Sequence, residues 1–510
     1  MSAVHPHTEQ RILLFSVFIL SLCGIVYELV LGSLATYLLG NPVQQYSITI
    51  GIFLSSMGLG SYLSRYITKD LVRNFIVIEA VLGLVGGVSV TVLSVFFTYL
   101  LSFYALQFFF LIGIGVLVGL EIPLVTRILK KHGSLRDIIS NVLTFDYVGG
   151  LIGSLLFPLV LFPFVGRYLT SVIVGSVNIA VALFLVVVIE YPGKRRWHVV
   201  YPIACLIIMG VLAGASGKIG HLLQRNLYAD DIVFSKRSSF QEIVLTRSGD
   251  DFRLFLDGAL QFSTFDEYRY HEMLVFPALL MRETDPKSVL VMGGGDGLAV
   301  REIKKMRTVQ LIHLVELDPE MIRLSLRNPS FQKINDLALH DPRVRITVGD
   351  AHRFLMEHRR LFDVIIADFP DPHDETIAKL YTEEFFRLVA KNLAPDGVFV
   401  TQSTSPLFAR EAFWCIHNTM KRVFPSVAPY RVYVPTFGEW GFNIGSKKTL
   451  GEIRLREHDT DVDARYYTRT TFMNALHFAQ DNGPVDTRIN TFNTPVLYSY
   501  YVRGWKSHDL

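Results

Sequence analysis

Apolar residues are patterned in two ways along the chain. Between about residues 11 and 217 they come in long, nearly unbroken runs, near 12–39, 46–64, 75–98, 101–128, 142–165, 169–190 and 199–215. Each run is long enough to cross bilayer hydrocarbon as a helix. About seven transmembrane helices are expected, with Pro158 and Pro163 placed to kink the fifth. Residues 218–230 read as a linker. Over 232–263 apolar and polar positions alternate around two turns, Ser248-Gly249-Asp250-Asp251 and Asp257-Gly258. That pattern predicts a small antiparallel β unit. A helix is expected over 268–280. From Ser288, short apolar runs at 289–292, 311–317, 344–348 and 362–367 alternate with helical stretches at 298–306, 319–326, 351–358, 382–392 and 409–423. The alternation predicts a Rossmann-like, doubly wound parallel sheet with helices on both faces. The expected organisation is an all-α transmembrane bundle at 1–217, a linker and small β unit at 218–280, and an α/β domain with a C-terminal extension at 281–510.

Composition agrees with a membrane half. Hydrophobic residues make up 50% of the 510 positions and the mean hydropathy is +0.35, values soluble domains rarely reach. The net charge of +3 gives no reason to expect nucleic acid as a partner. The three cysteines, Cys23, Cys205 and Cys415, are not in metal-ligand spacing, so neither a metal site nor a disulfide framework is expected. No small-residue cleavage site follows the first apolar run, which therefore reads as an anchor.

Basic residues cluster in alternate connections: Arg65, Lys69 and Arg73; Arg127, Lys130, Lys131 and Arg136; Lys194, Arg195 and Arg196. The positive-inside rule places these, and the N-terminus, in the cytoplasm. Seven crossings would then leave the C-terminal half outside, whereas a cytosolic cosubstrate demands the opposite, so the side stays open. Four acids, Glu28, Glu79, Glu121 and Asp146, fall inside the apolar runs. Acids there are costly. They are expected to line a polar cavity for a cation such as a polyamine, to bond between helices to Tyr27 or Tyr147, or to sit near the membrane interface.

The chemistry concentrates at residues 289–301, V-L-V-M-G-G-G-D-G-L-A-V-R. A strand, a glycine turn and a helix bring backbone close to a nucleotide-like ligand. Asp296 in the turn repels phosphate and suits a cation, such as an amine or a sulfonium. Glu316 follows about 20 residues on, the spacing at which an acid grips ribose hydroxyls. Asp350 follows the third run and Asp368 the fourth. Four runs each deliver a carboxylate near the strand's carboxyl end, where open α/β sheets bind ligands.

Further motifs appear in order: Ser239-Phe240-Gln241, Leu256-Asp257-Gly258, Asp266-Glu267, Tyr270-His271-Glu272, Val315-Glu316-Leu317-Asp318, Gly349-Asp350-Ala351, Asp368-Phe369-Pro370-Asp371-Pro372, Leu380-Tyr381-Thr382 and Gln402-Ser403. Together, over roughly 239–446, they resemble the polyamine aminopropyltransferases, the spermidine synthase family, in its membrane-fused branch. The resemblance implies a methyltransferase-type sheet. It implies transfer of an aminopropyl group from decarboxylated S-adenosylmethionine, a cosubstrate and not a permanent cofactor, to a diamine such as putrescine, with methylthioadenosine as by-product. It implies Asp368 as proton acceptor and Asp371 as amine anchor. Gln241, Glu316, Asp350 and Ala351 would surround the thioadenosine, and Tyr270, His271 and Asp296 would lie along the amine channel. The bilayer and a second copy of the chain are the implied partners. Two departures fall at the acceptor end: His373-Asp374-Glu375-Thr376 replaces a Gly-Pro-Ala loop, and Pro435-Thr436-Phe437-Gly438-Glu439-Trp440 lacks the family's tyrosine. A methyltransferase on the same sheet, and a transporter or sensor with a non-catalytic binding domain, are the alternatives.

Overall fold

The computed structural model describes residues 6–39, 42–99, 103–189, 191, 196–282, 284–358, 360–449 and 462–506. Lys194 and Arg195 of the third basic cluster lie outside the described residues, as do Leu101 and Glu190 at the ends of two expected spans. The chain forms two compact units, Met1–Ala229 and Asp230–Leu510.

The first unit is helical: α1 (Pro6–Leu39), α2 (Pro42–Leu63), α3 (Leu71–Tyr99), α4 (Phe103–Leu129), α5 (Leu135–Leu156), α6 (Gly166–Val188) and α7 (Trp197–Leu227). Among the described residues six runs, not seven, are long and apolar enough to cross a membrane, because the fifth and sixth expected spans are continuous over Leu135–Val188, 54 residues. The joint is a π-helical stretch, Phe157–Val165, holding Pro158 and Pro163. Proline cannot supply the N–H that an α-helical ladder needs there. Gly166, at φ +80°, then breaks the run. A 54-residue helix would span about 80 Å, against about 30 Å of hydrocarbon, so this one run contains two membrane-length helices. The expected linker is a second correction: α7 stays helical to Leu227, and the second unit starts at Asp230, beyond the expected boundary at 217.

Small residues bring the helices together. A Cβ on Gly119 of α4 would fall 2.1 Å from the Met57 carbonyl oxygen of α2, and one on Gly175 of α6 would fall 2.5 Å from the Gly83 oxygen of α3. Large apolar side chains point outward, among them Phe109, Phe164, Ile207 and Val211.

The second unit opens with β1 (Asp231–Arg237), β2 (Glu242–Ser248), β3 (Asp251–Leu256) and β4 (Ala259–Ser263), an antiparallel sheet in that order. Then come α8 (Glu267–Leu280), β5 (Ser288–Gly293), α9 (Leu298–Lys304), β6 (Leu311–Glu316), α10 (Pro319–Arg327), α11 (Pro329–Ile334), β7 (Val344–Val348), α12 (Ala351–Glu357) and β8 (Phe362–Asp368). The chain continues through α13 (Glu375–Ala378), α14 (Glu383–Asn392), β9 (Leu393–Gln402), α15 (Arg410–Met420), β10 (Ser426–Val434), β11 (Gly438–Ser446), α16 (Arg469–Ala475) and α17 (Leu497–Lys506). Seven strands make one sheet in the order β10-β11-β9-β8-β5-β6-β7. It is mixed, where an all-parallel sheet is expected from the sequence. Only Pro435, Thr436 and Phe437 separate β10 from β11, too short a crossover for parallel pairing, so β11 runs antiparallel to both neighbours.

Strand alternation divides the core between the two faces. Val289, Val291, Ile312, Leu314, Val364 and Ile366 pack on one side. Leu290, Met292, Val315, Ile365 and Ala367 pack on the other, against α14 and α15. The small sheet covers the first strand–helix units through Ile243, Leu245, Leu254 and Phe262, which meet Leu298, Met321, Leu324 and Phe331. Full burial of such a side chain contributes about 1.5–3 kcal/mol.

Candidate active site

The glycine turn makes room for acids. Gly293 ends β5 and pairs with Asp368, which ends β8. A Cβ on Gly293 would lie 2.3 Å from the Asp368 carbonyl oxygen. One on Gly294 would lie 2.9 Å from Asp368 Oδ2, and one on Gly295 2.7 Å from Glu316 Cγ. Gly293 and Gly294 also have φ of +77° and +67°, a region side chains disfavour. The three glycines thus let two carboxylates from neighbouring strands press against one turn.

Glu316 is fixed by backbone. Its Oε2 accepts the Gly295 N–H (3.1 Å) and its Oε1 the Asp318 N–H (2.9 Å). Burial pushes its carboxyl up to about 7, and the two N–H bonds limit the rise. Buried Asp318 caps α10 through Glu320 N–H (2.9 Å) and accepts from Ser238 Oγ (2.7 Å) and Gln241 Nε2 (3.0 Å). Gln241 is therefore tied to the strand ends by the small sheet. The Gly349 N–H donates to the Glu316 carbonyl (2.8 Å), setting Asp350 and Ala351 beside it. Asp350 Oδ1 caps α12 through the Arg353 N–H (2.8 Å), and small, buried Ala351 opens that helix.

Helix α8 supplies the next group. The Tyr270 hydroxyl donates to Asp368 Oδ1 at 2.7 Å, and its ring lies 5.2 Å from that of Phe442. His271 Nδ1 sits 2.7 Å from Glu267 Oε2, and Glu267 also takes Arg301 Nη2 at 2.9 Å. Burial alone would lower the His271 pKa. Glu267, with help from Asp296 and Asp368, outweighs it and holds the imidazole at about 9. Burial raises Asp296 to about 6, which His271 partly offsets. Burial also raises Asp368, eased by the His271 charge and the Tyr270 bond. These groups titrate as a set. Asp296 Oδ1 also accepts the Leu298 N–H (2.8 Å), so the turn acid starts α9 as well.

Asp371, three residues past Asp368, accepts the Thr404 hydroxyl on Oδ2 (3.0 Å). Burial pushes it up to about 6, with Thr404 and Tyr501 opposing. Buried Gln402 pins the loop between the two acids: its Nε2 donates to the Phe369 carbonyl (2.8 Å) and to the Tyr381 oxygen (2.7 Å), and its Oε1 accepts the Thr404 N–H (2.9 Å). Thr404 is held at φ +61°, strained for a residue with a side chain.

The structure therefore gathers Tyr270, His271, Asp296, Glu316, Asp368 and Asp371 around the turn, and sets Asp350 and Ala351 at the next strand end. Sequence reasoning missed Glu267, Thr404 and Tyr501. The first had a legible signal, four residues before His271 on one helix face. Glu272, by contrast, is structural: its carboxylate accepts the N–H groups of Arg465, Tyr466 and Tyr467 at 2.7–2.8 Å.

Residues 267–457 match the spermine/spermidine synthase domain. A polyamine aminopropyltransferase of Leptospira interrogans is 41% identical over 97% of this chain and 99% of its own. The chain belongs to the polyamine aminopropyltransferase family. Polyamine aminopropyltransferase 2 of Ralstonia nicotianae is 40% identical over 97% of this chain and 98% of its own. A Mycobacterium tuberculosis polyamine aminopropyltransferase is 34% identical, with 97% of each chain covered. These relatives thus extend over the helical unit too. Among solved structures, a spermidine synthase in complex with the transition-state analogue AdoDATO matches at 26% identity and a TM-score of 0.46, over 49% of this chain and 86% of that one. Membership in this family makes the chain an enzyme and displaces both the methyltransferase and the non-catalytic readings.

Proposed function

We propose that the second unit moves an aminopropyl group from decarboxylated S-adenosylmethionine to a diamine such as putrescine, and that the first unit anchors it in the cell membrane. The observation that carries the transfer reading is Asp368, held at a strand end against the glycine turn by Tyr270. The diamine arrives as an ammonium, and Asp368 takes the proton that frees its lone pair. The nitrogen attacks the aminopropyl carbon beside the sulfonium. A C–N bond forms, the C–S bond breaks, and its electron pair returns to sulfur as neutral methylthioadenosine. The product leaves as a secondary ammonium, and Asp368 releases to solvent the one proton it took, which restores the base.

Alignment supplies much of the rate. Asp371 anchors the far nitrogen of the acceptor. Glu316 takes the ribose hydroxyls, with Asp350, Ala351 and Gln241 around the nucleoside. Asp296 and His271 border the aminopropyl arm, with Tyr270 beside them. Both reactants are cations, so a rim of carboxylates attracts and orients them. The six apolar runs and the apolar outer face of the first unit support the membrane reading.

Purified full-length protein given labelled decarboxylated S-adenosylmethionine and a panel of amines should release methylthioadenosine. Asp368→Asn should lower that turnover by about 100-fold or more while nucleoside binding persists. An Asn variant that turns over normally would sink the assigned role. S-adenosylhomocysteine formed from S-adenosylmethionine would sink the reaction.

A further inference from the structure

Helices of the first unit carry into its interior polar groups that the protein leaves unsatisfied. Glu79 of α3 is fully buried; its Oε2 accepts only a long bond from Asn178 Nδ2 of α6 (3.3 Å), and its Oε1 has no partner. Glu121 Oε1 of α4, the Tyr27 hydroxyl of α1 and Asn178 Oδ1 are likewise buried without a hydrogen-bond partner. Tyr27 is 1% exposed and Asn178 0%. Tyr27 and Asn178 both pack on α3, which carries Glu79: a Cβ on Gly86 would fall 2.4 Å from the Tyr27 ring and one on Gly83 3.0 Å from Asn178 Cβ. Gly24 of α1, about one turn before Tyr27, meets Val118 of α4, about one turn before Glu121, at 3.4 Å from its Cβ position, so these groups lie on facing helices.

Buried polar groups are ordinarily paired, and unpaired acids in an apolar bundle are the most costly kind. The structural alternatives expected from the sequence are a bond from Tyr27 or Tyr147, or a place near the interface, and Glu79 and Glu121 are both buried. Tyr27 makes no such bond, and Tyr147 is exposed. We infer that this interior is a second cation site, built for an alkyl polyammonium ion and separate from the cleft of the second unit. The unpartnered atoms of Glu79, Glu121, Tyr27 and Asn178 are oxygens, and an ammonium group donates up to three hydrogen bonds to such atoms. Among the described residues no three acidic, histidine or cysteine side chains converge tightly enough to hold one metal ion. Acids spread over separate helices suit amines spaced along one flexible chain, and the Tyr27 ring offers a face for one of them. The inference does not depend on the transferase reading, because none of its residues belongs to that cleft.

The test uses full-length protein in lipid nanodiscs with radiolabelled putrescine and spermidine. Wild type should bind two amines per chain. Glu79→Gln/Glu121→Gln should bind one, with methylthioadenosine release within about twofold of wild type, and Tyr27→Phe should weaken the second site at least threefold. A hydrophobic carbodiimide should modify Glu79 or Glu121 in wild type, mapped by mass spectrometry, and spermidine should protect it at least fivefold where sodium chloride of equal ionic strength does not. Carbodiimide protection needs no variant, so it decides the matter if the double substitution fails to fold. One amine per chain in wild type, or labelling that spermidine leaves unchanged, overturns the inference. Loss of methylthioadenosine release in wild type would instead count against the transferase reading and leave the binding arms intact.

Discussion

Tyr270→Phe isolates one interaction of the proposed base. The substitution keeps the ring that packs on Phe442 at 5.2 Å and removes only the hydroxyl that donates to Asp368 at 2.7 Å. That bond favours the ionised carboxylate and so lowers the Asp368 pKa, against burial, which raises it. A hydrogen bond to a charged group is worth about 1.5–3 kcal/mol, and one pKa unit corresponds to about 1.4 kcal/mol. Without the hydroxyl the apparent pKa should therefore rise by about one to two units. Asp368 accepts a proton only when ionised, so activity is lost as pH falls through that pKa. In the variant the loss should begin at higher pH. The assay is kcat/KM for the amine across pH, read as methylthioadenosine release. The acidic limb reports a coupled set, because Asp296 and His271 share the field, so the shift and not the absolute value is diagnostic. On the alkaline side of both limbs the variant should lose less than about tenfold in rate, because the freed carboxylate is also the stronger base. In an Asp368→Asn background the same substitution should leave the limb where it is, since no carboxylate remains to lose the bond. A limb that stays put in the single variant, or moves to lower pH, refutes the reasoning.

Gly294→Ala places a Cβ 2.9 Å from Asp368 Oδ2 at φ +67°; turnover should fall at least about tenfold, by the misplacement argument, while circular dichroism shows the fold retained. Glu316, pushed up to about 7, is already gaining a proton near neutrality. The grip on ribose hydroxyls proposed for it needs the ionised form, so methylthioadenosine should bind more weakly as pH falls through about 7, and calorimetry on Glu316→Gln should show that dependence flattened. Glu272→Ala removes a carboxylate accepting three N–H groups. The second unit should lose about 3 kcal/mol or more, visible as a lower melting temperature, with kcat per folded molecule nearly unchanged.

Strands β5, β6 and β8 of the large sheet were legible because each is buried on both faces and reads as a continuous apolar run: Val289–Met292, Leu311–Val315 and Val364–Ala367 are nearly all at or close to zero exposure. The acids were legible for a related reason, because each stands where such a run stops. β11 was not. Its sequence G-E-W-G-F-N-I-G-S has three glycines and alternates only weakly, and its place in the sheet depends on pairing with β9, far away in sequence. Tyr501 was missed because α17 has no motif of its own; only the folded chain brings it to Asp371. Residues 218–227 carry histidine, glutamine and arginine between apolar positions, a pattern read as linker that nonetheless continues α7. Pro158 and Pro163 announced a break but not its form. The interruption is distributed over a π-helical stretch, and the turn itself is made by Gly166.

A cleft lined with acids faces a problem that the pKa pattern answers. Glu316 near 7, Asp296 near 6 and Asp371 near 6 cannot all be fully ionised around neutrality without a cation beside them, and His271 is the positive charge the protein supplies. The cleft on its own therefore relieves its repulsion by holding protons. In the proposed reaction a sulfonium and a diammonium bring positive charge, and each charge that enters favours ionisation of the acids nearest it. Substrate entry and proton release are then linked events. On that proposal Asp368 reaches its ionised form most completely when both cations are in place, which is also when the acceptor nitrogen has a proton to give. The same linkage disfavours premature chemistry: with only one cation bound, part of the carboxylate set stays protonated. A cleft of this kind selects its reactants by charge before it selects them by shape, and the remodelled 373–376 and 435–440 segments are left to decide which amine fits.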